Sequence, residues 1–155
     1  MRYVAVIGAG VANEADERAA AEVGRLLAEA GCAVVCGGLG GVMAAACRGA
    51  REGRGATIGI LPGDDRRDAN PWVDVAIPTG MGEGRNVLVV RAADAVIAIG
   101  GEFGTLSEIG LALKLGRPVA GLGTWRLDRA GLDPDPILRA DSPAGAVRLV
   151  LDRLG

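Results

Sequence analysis

The chain has 155 residues, half of them hydrophobic and only 3% aromatic, with 26 glycines, no histidine and a formal charge of −2. That length fits one domain spanning residues 1–155, and a domain of this size buries roughly 68–70% of its unfolded surface, enough to fold without metals or disulfides. The mildly acidic balance without a basic block argues against nucleic-acid binding, and the lack of histidine removes Ser-His-Asp and Cys-His nucleophile pairs and most zinc sites, so no metal is expected.

Apolar strands and helical segments alternate along the chain. Tyr3-Val4-Ala5-Val6-Ile7 reads as a short strand closed by Gly8-Ala9-Gly10. A helix follows from about Glu14 to Ala30, with Ala19, Val23, Leu26, Leu27 and Ala30 at helical spacing and Gly31 as its stop. Ala33-Val34-Val35-Cys36 is a second strand, ended by Gly37-Gly38-Leu39-Gly40-Gly41, and Val42 to Arg51 an Ala-rich helix. Ala56 to Leu61 is a third strand, followed by the polar loop Asp64 to Pro71. Val73 to Ile77 is a further strand, Glu83 to Ala92 a helix, Asp94 to Ile99 a strand, Thr105 to Leu115 a helix and Pro118 to Leu122 a strand. An irregular stretch through Pro134 and Pro136 leads to a closing helix from Ser142.

Strands that are apolar throughout, separated by helices, imply a single-domain α/β fold: a doubly wound, Rossmann-like, mostly parallel sheet with helices on both faces. Ligands then bind at the carboxyl ends of the strands, where every glycine cluster falls. No apolar run reaches bilayer length, and the amino terminus lacks the basic-then-apolar layout of a signal peptide. The expectation is a cytoplasmic protein without a membrane partner. Cys32, Cys36 and Cys47 lack metal-ligand spacing and read as buried free thiols.

Four glycine-bearing segments carry the chemistry. Gly8-Ala9-Gly10 begins like a dinucleotide fingerprint, but Asn13 stands where the third glycine belongs and no acid ends the second strand, which argues against ordinary NAD or FAD binding. Gly8 and Gly10 remain candidates for close backbone approach to a ligand. Gly38 and Gly41, with Met43 beyond them, form a second turn into a helix, either for close packing or as a wall against a nucleotide's sugar or phosphate. Arg85 and Asn86 follow a glycine-rich connector. An arginine at a helix start opposes the helix dipole, so a guanidinium facing the crevice to bind phosphate is the functional reading and a solvated charge the bland one. The fourth is Gly100-Gly101-Glu102-Phe103-Gly104-Thr105-Leu106-Ser107-Glu108. It follows a buried strand and opens a helix, an arrangement that binds anions, phosphate above all. Within it Thr105 and Glu108 have capping-box spacing, which by itself favours Glu108 as a helix cap over a catalytic acid.

Gly41-Val42-Met43, Arg85 at a helix start, and Gly100-Gly101-Glu102-Phe103-Gly104-Thr105-Leu106-Ser107-Glu108 together resemble the LOG-like Rossmann superfamily, whose members were often labelled possible lysine decarboxylases. Lys114 is the only lysine and sits in a last helical turn, which argues against that chemistry. In the phosphoribohydrolase branch the resemblance implies catalysis by Arg85 and Glu108, with Gly104, Thr105 and neighbouring backbone at the phosphate of a nucleoside 5'-monophosphate. Asn86, where those hydrolases usually have Lys, and Glu102, where they have Gly, look instead like the short branch that includes the molybdenum-cofactor carrier proteins. That likeness implies a bound nucleotide, molybdopterin-type ligand or other phosphorylated small molecule, with no cofactor required. The superfamily also implies a homo-oligomer, dimer or tetramer.

Overall fold

The computed structural model describes every residue from Met1 to Gly155. Its strands are β1 (Tyr3–Gly8), β2 (Ala33–Cys36), β3 (Thr57–Leu61), β4 (Val75–Pro78), β5 (Ala95–Ile99), β6 (Val119–Leu122) and β7 (Leu138–Arg139). Its helices are α1 (Glu14–Glu29), α2 (Val42–Glu52), α3 (Asn86–Ala92), α4 (Phe103–Lys114) and α5 (Pro143–Leu154). The strands form one seven-stranded sheet in the order β4-β3-β2-β1-β5-β6-β7, every neighbouring pair parallel. This is the doubly wound α/β sheet that the alternating pattern implies. From β1 the chain winds outward to β4, then returns to place β5 on the other side of β1. The winding reverses between β1 and β5, and their loops must part there.

Alternation along β1 builds the two faces. Val4 and Val6 enter one core with Ala20, Val23 and Leu27 of α1, Ala45 and Ala46 of α2, and Ala146 and Val150 of α5. Ala5 and Ile7 enter the other with Val89 and Val90 of α3 and Ile109 and Ala112 of α4. Each fully buried valine or isoleucine contributes roughly 1.5–3 kcal/mol through area removed from water. Small residues bring α1 and α2 unusually close: a methyl at Gly24 would lie 2.0 Å from the Ala46 carbonyl oxygen, and one at Gly49 would lie 1.8 Å from that of Ala21.

Several boundaries differ from the sequence expectation. The segment from Glu83 opens as a 3-10 turn, Gly82–Arg85, and becomes α-helical only at Asn86. The edge strand β4 starts at Val75 rather than Val73 and leaves Val75 and Ile77 exposed. The two-residue β7 lay inside the stretch read as irregular. Asn13 explains its own departure from the dinucleotide pattern, because its Oδ1 accepts the Asp16 N–H at 2.8 Å and caps α1. No helix is long and apolar enough to cross a membrane.

Candidate functional site

A crevice of about 420 Å3 opens at the carboxyl ends of β1 and β5. The β1–α1 loop supplies Gly8, Ala9, Gly10 and Val11, and the β2–α2 region supplies Gly37 and Met43. Arg85 and Asn86 enter from the start of α3, and Glu102, Gly104, Thr105 and Glu108 from α4. The fold therefore brings Gly8, Gly10, Met43, Arg85, Asn86, Gly104, Thr105 and Glu108 of the sequence candidates together. Gly38, Gly41, Gly100 and Gly101 lie behind that surface instead. Side chains at Gly38 and Gly41 would strike Leu61 at 2.6 Å and the Ala9 carbonyl oxygen at 2.2 Å. At Gly100 and Gly101 they would strike the Asp16 carboxylate at 2.4 Å and Thr105 Oγ1 at 2.3 Å. All four have positive φ, so their glycines serve the turns.

Arg85 does not point into solvent. Its Nε–H donates to the Ile60 carbonyl at 2.9 Å, Nη2 to the Gly37 carbonyl at 3.4 Å, and Nη1 to Asn86 Oδ1. Gly37 makes room for this, since a methyl there would lie 2.5 Å from Nη2 and 2.8 Å from Met43 Sδ. Three of the five guanidinium N–H groups are thus engaged, and two remain on a rigidly held fork. Asn86, where the hydrolases usually have Lys, is a partner of that fork.

The start of α4 corrects the capping-box reading. The helix begins at Phe103, with Glu102 as an extended cap residue that provides no side-chain bond, so Thr105 lies inside the first turn and Glu108 one turn further on. Gly100 and Gly101, at φ of +54° and +95°, turn the chain sharply enough to start the helix two residues early. Thr105 is buried and packs its side chain over Gly101. The first helical N–H to find a carbonyl is that of Leu106, bonded to Glu102 at 3.0 Å; the N–H groups from Gly101 through Thr105 donate to no protein group. Those of Ala9, Gly10 and Val11 across the crevice are unengaged too.

Freed from capping, Glu108 faces the crevice. Burial pushes its carboxyl pKa up to about 7, against the pull of the Arg85 guanidinium in the opposite direction. Glu102 is exposed at the rim. Beneath Gly37 lie the free thiols of Cys36 and Cys47, both buried, with sulfur atoms 3.5 Å apart. The hydrogen bond from Cys47 holds the Cys36 thiol below its usual pKa, while its counterpart and burial push Cys47 up. Of the lining, Val6, Ile7, Ala9, Val11, Gly37 and Glu102 were not among the sequence candidates; all but Val6 adjoin candidate glycines, and that proximity was the available signal.

Known proteins share this architecture. The model described as "LDcluster4: SLOG cluster4 family" matches residues 1–147. An uncharacterized protein of Archaeoglobus fulgidus is 47% identical over 123 residues, covering 79% of this chain and 80% of that one. The molybdenum cofactor binding protein from the phototrophic bacterium Rippkaea orientalis superposes with a TM-score of 0.91 at 36% identity, over 99% of this chain and 98% of that one. The molybdenum cofactor carrier protein MCP from Chlamydomonas reinhardtii does so with a TM-score of 0.87 at 32% identity, over 99% of each chain. The neighbours are those of the carrier-like branch that Arg85, Asn86 and the Gly100–Glu108 segment resemble, and the chain belongs to the SLOG cluster4 family.

Proposed function

We propose that this chain binds a phosphate-bearing small molecule of the molybdopterin type in the crevice between β1 and β5, as cargo rather than as a resident cofactor. The observation that carries the reading is the unengaged run of N–H groups from Gly101 to Thr105 at the start of a twelve-residue helix. Such donors, with the positive end of the helix dipole behind them, favour a phosphate group. Arg85 adds two free N–H groups whose direction is set by the Ile60 and Gly37 carbonyls, so little side-chain entropy is lost on binding. Gly8, Gly10 and Met43 supply a low wall for the organic part. The likeness to a molybdenum cofactor binding protein over nearly the whole chain supports the same ligand class.

The donor set fits one phosphate well. It holds one cation against two carboxylates, and Glu108, half protonated near neutral pH, limits the repulsion. A ligand that binds only the folded chain stabilises it by about 2.7 kcal/mol at a hundredfold excess over Kd. Molybdopterin-type cofactor added to the purified protein is therefore expected to raise its melting temperature, and Arg85→Ala to abolish the rise. If neither the cofactor nor AMP moves the melting of the unaltered protein, the reading fails.

One observation favours a second reading, hydrolysis of nucleoside 5'-monophosphates to base and ribose 5-phosphate. A carboxyl titrating near 7 beside Arg85 suits acid–base work at neutral pH. Ionised, Glu108 would stabilise an oxocarbenium-like ribose while water attacks and the base departs with a proton. Free base released from AMP, GMP or CMP, and lost in Glu108→Gln, would establish this reading; binding without release leaves the first.

A further inference from the structure

The Gly101–Thr105 donors can face the crevice only if the carbonyls of the same peptide units face elsewhere, because the C=O and N–H of a trans peptide point in opposite directions. Two side chains bond two of those carbonyls, the second of which also accepts the Leu106 N–H at 3.0 Å in the first turn of α4. Thr124 Oγ1 donates to the Gly100 carbonyl at 2.6 Å, and Trp125 Nε1 donates to the Glu102 carbonyl at 3.1 Å. Both residues follow β6, which lies on the far side of β5 from β1. The Gly100 and Glu102 carbonyls are therefore directed toward the segment after β6, and the N–H groups of Gly101 and Phe103 point the opposite way, away from that segment.

The brace is itself anchored. Arg139 on β7 donates from Nη1 to the Thr124 carbonyl at 3.4 Å and from Nη2 to the Trp125 carbonyl, and Asp135 pairs with the same guanidinium at 2.5 Å. The Trp125 ring packs against Phe103 with centroids 5.4 Å apart. None of these groups lines the crevice.

We infer that Thr124 and Trp125 are positioning residues for the anion-binding turn, setting its affinity for phosphate from behind without touching the ligand. The inference rests on the reading that this turn receives a phosphate group. Without the Thr124 hydroxyl the Gly100 peptide loses its outward restraint and can rotate, presenting a carbonyl oxygen where the Gly101 N–H stood, in the turn that the proposed phosphate meets. Removing one such bond is expected to weaken phosphate binding about tenfold, the equivalent of about 1.4 kcal/mol.

The test follows the backbone amide resonances of Gly101 to Thr105 while inorganic phosphate, and separately AMP, is titrated into the unaltered protein, Thr124→Val, Thr124→Ser and Trp125→Phe. Serine keeps the hydroxyl; phenylalanine keeps a ring against Phe103 but removes the indole N–H. Weakening of about tenfold in Thr124→Val and Trp125→Phe, near-native binding in Thr124→Ser and unchanged melting of the free proteins support the brace. Equal midpoints in all four proteins overturn the brace and leave the phosphate reading standing. Weakening that serine does not restore, or that tracks a fall in melting temperature, overturns it as well, because the residues then serve only the fold. If phosphate and AMP leave these amides unmoved in the unaltered protein, the phosphate reading fails and the inference falls with it.

Discussion

The two glycine-rich loops at the carboxyl edge of the sheet look alike as strings of residues but are packed differently. In the β2–α2 loop a carbonyl of the neighbouring loop covers the first helical N–H, although those of Met43 and Ala44 stay unengaged. The Val42 N–H donates to the Ala9 carbonyl at 3.1 Å, Gly41 leaves no room beneath that carbonyl, and Asn70 ties down the carbonyls of Gly38 and Leu39 at 2.9 Å each. In the β5–α4 loop no carbonyl covers the helix start, and the donors from Gly101 to Thr105 stay open. A glycine cluster before a helix thus serves packing where a carbonyl fills the turn, and leaves donors free for the proposed ligand where none does.

The sharpest way to break this contrast is to add one methyl to each loop. Gly41→Ala forces a side chain onto φ of +61° and into the Ala9 carbonyl, and is expected to cost more than about 3 kcal/mol, read as a large fall in denaturation midpoint. Gly104→Ala meets no atom within 4 Å and lies inside a helix, so it is expected to stabilise the free protein by about 0.5–1 kcal/mol while weakening any ligand that approaches the turn. Similar stability losses in both variants would erase the distinction.

Acidity offers a second probe, because the open loop carries Glu108. Its folded pKa of about 7 lies above the ordinary 4.5, so between those values the folded chain keeps a proton that the unfolded chain has released. Stability from this group is complete below about pH 4.5, falls by up to about 3 kcal/mol as pH rises to about 7, and is flat beyond. Glu108→Gln is expected to remove that slope and to melt higher than the parent at pH 8, with little difference at pH 4. A slope that survives the substitution would assign it to another group. The smallest expected effect is at the rim, where Glu102→Gln removes an exposed charge and should tighten phosphate binding by about threefold at low salt and less at high salt.

The sheet and the order of its elements were legible because each strand is short, apolar and bounded by glycine or proline. The crevice lining was largely legible for the same reason: in a doubly wound sheet, loops after adjacent strands share one edge. The start of α4 was not. Thr105 and Glu108 have capping-box spacing, but that pattern cannot register that Gly100 and Gly101 with positive φ let the helix begin at Phe103. The roles of Thr124 and Trp125 were also hidden. They act through single bonds to backbone carbonyls more than twenty residues away, and no periodicity marks such a contact. Arg85 falls between these cases: its position at a helix start signalled a special role, but its tether to Ile60 depends on strand neighbours.

The scarcity of aromatic residues gives the Trp125 contact a practical value. The chain has only two tryptophans, and Trp72 lies far from the crevice edge of β5, with the Arg48 guanidinium 5.9 Å from its ring. With Trp72 replaced by phenylalanine, all indole emission would come from one ring, bonded to the carbonyl that opens α4 and packed on Phe103. The protein then carries its own optical gauge of the turn, and a shift in emission on adding a ligand would report rearrangement there without a label.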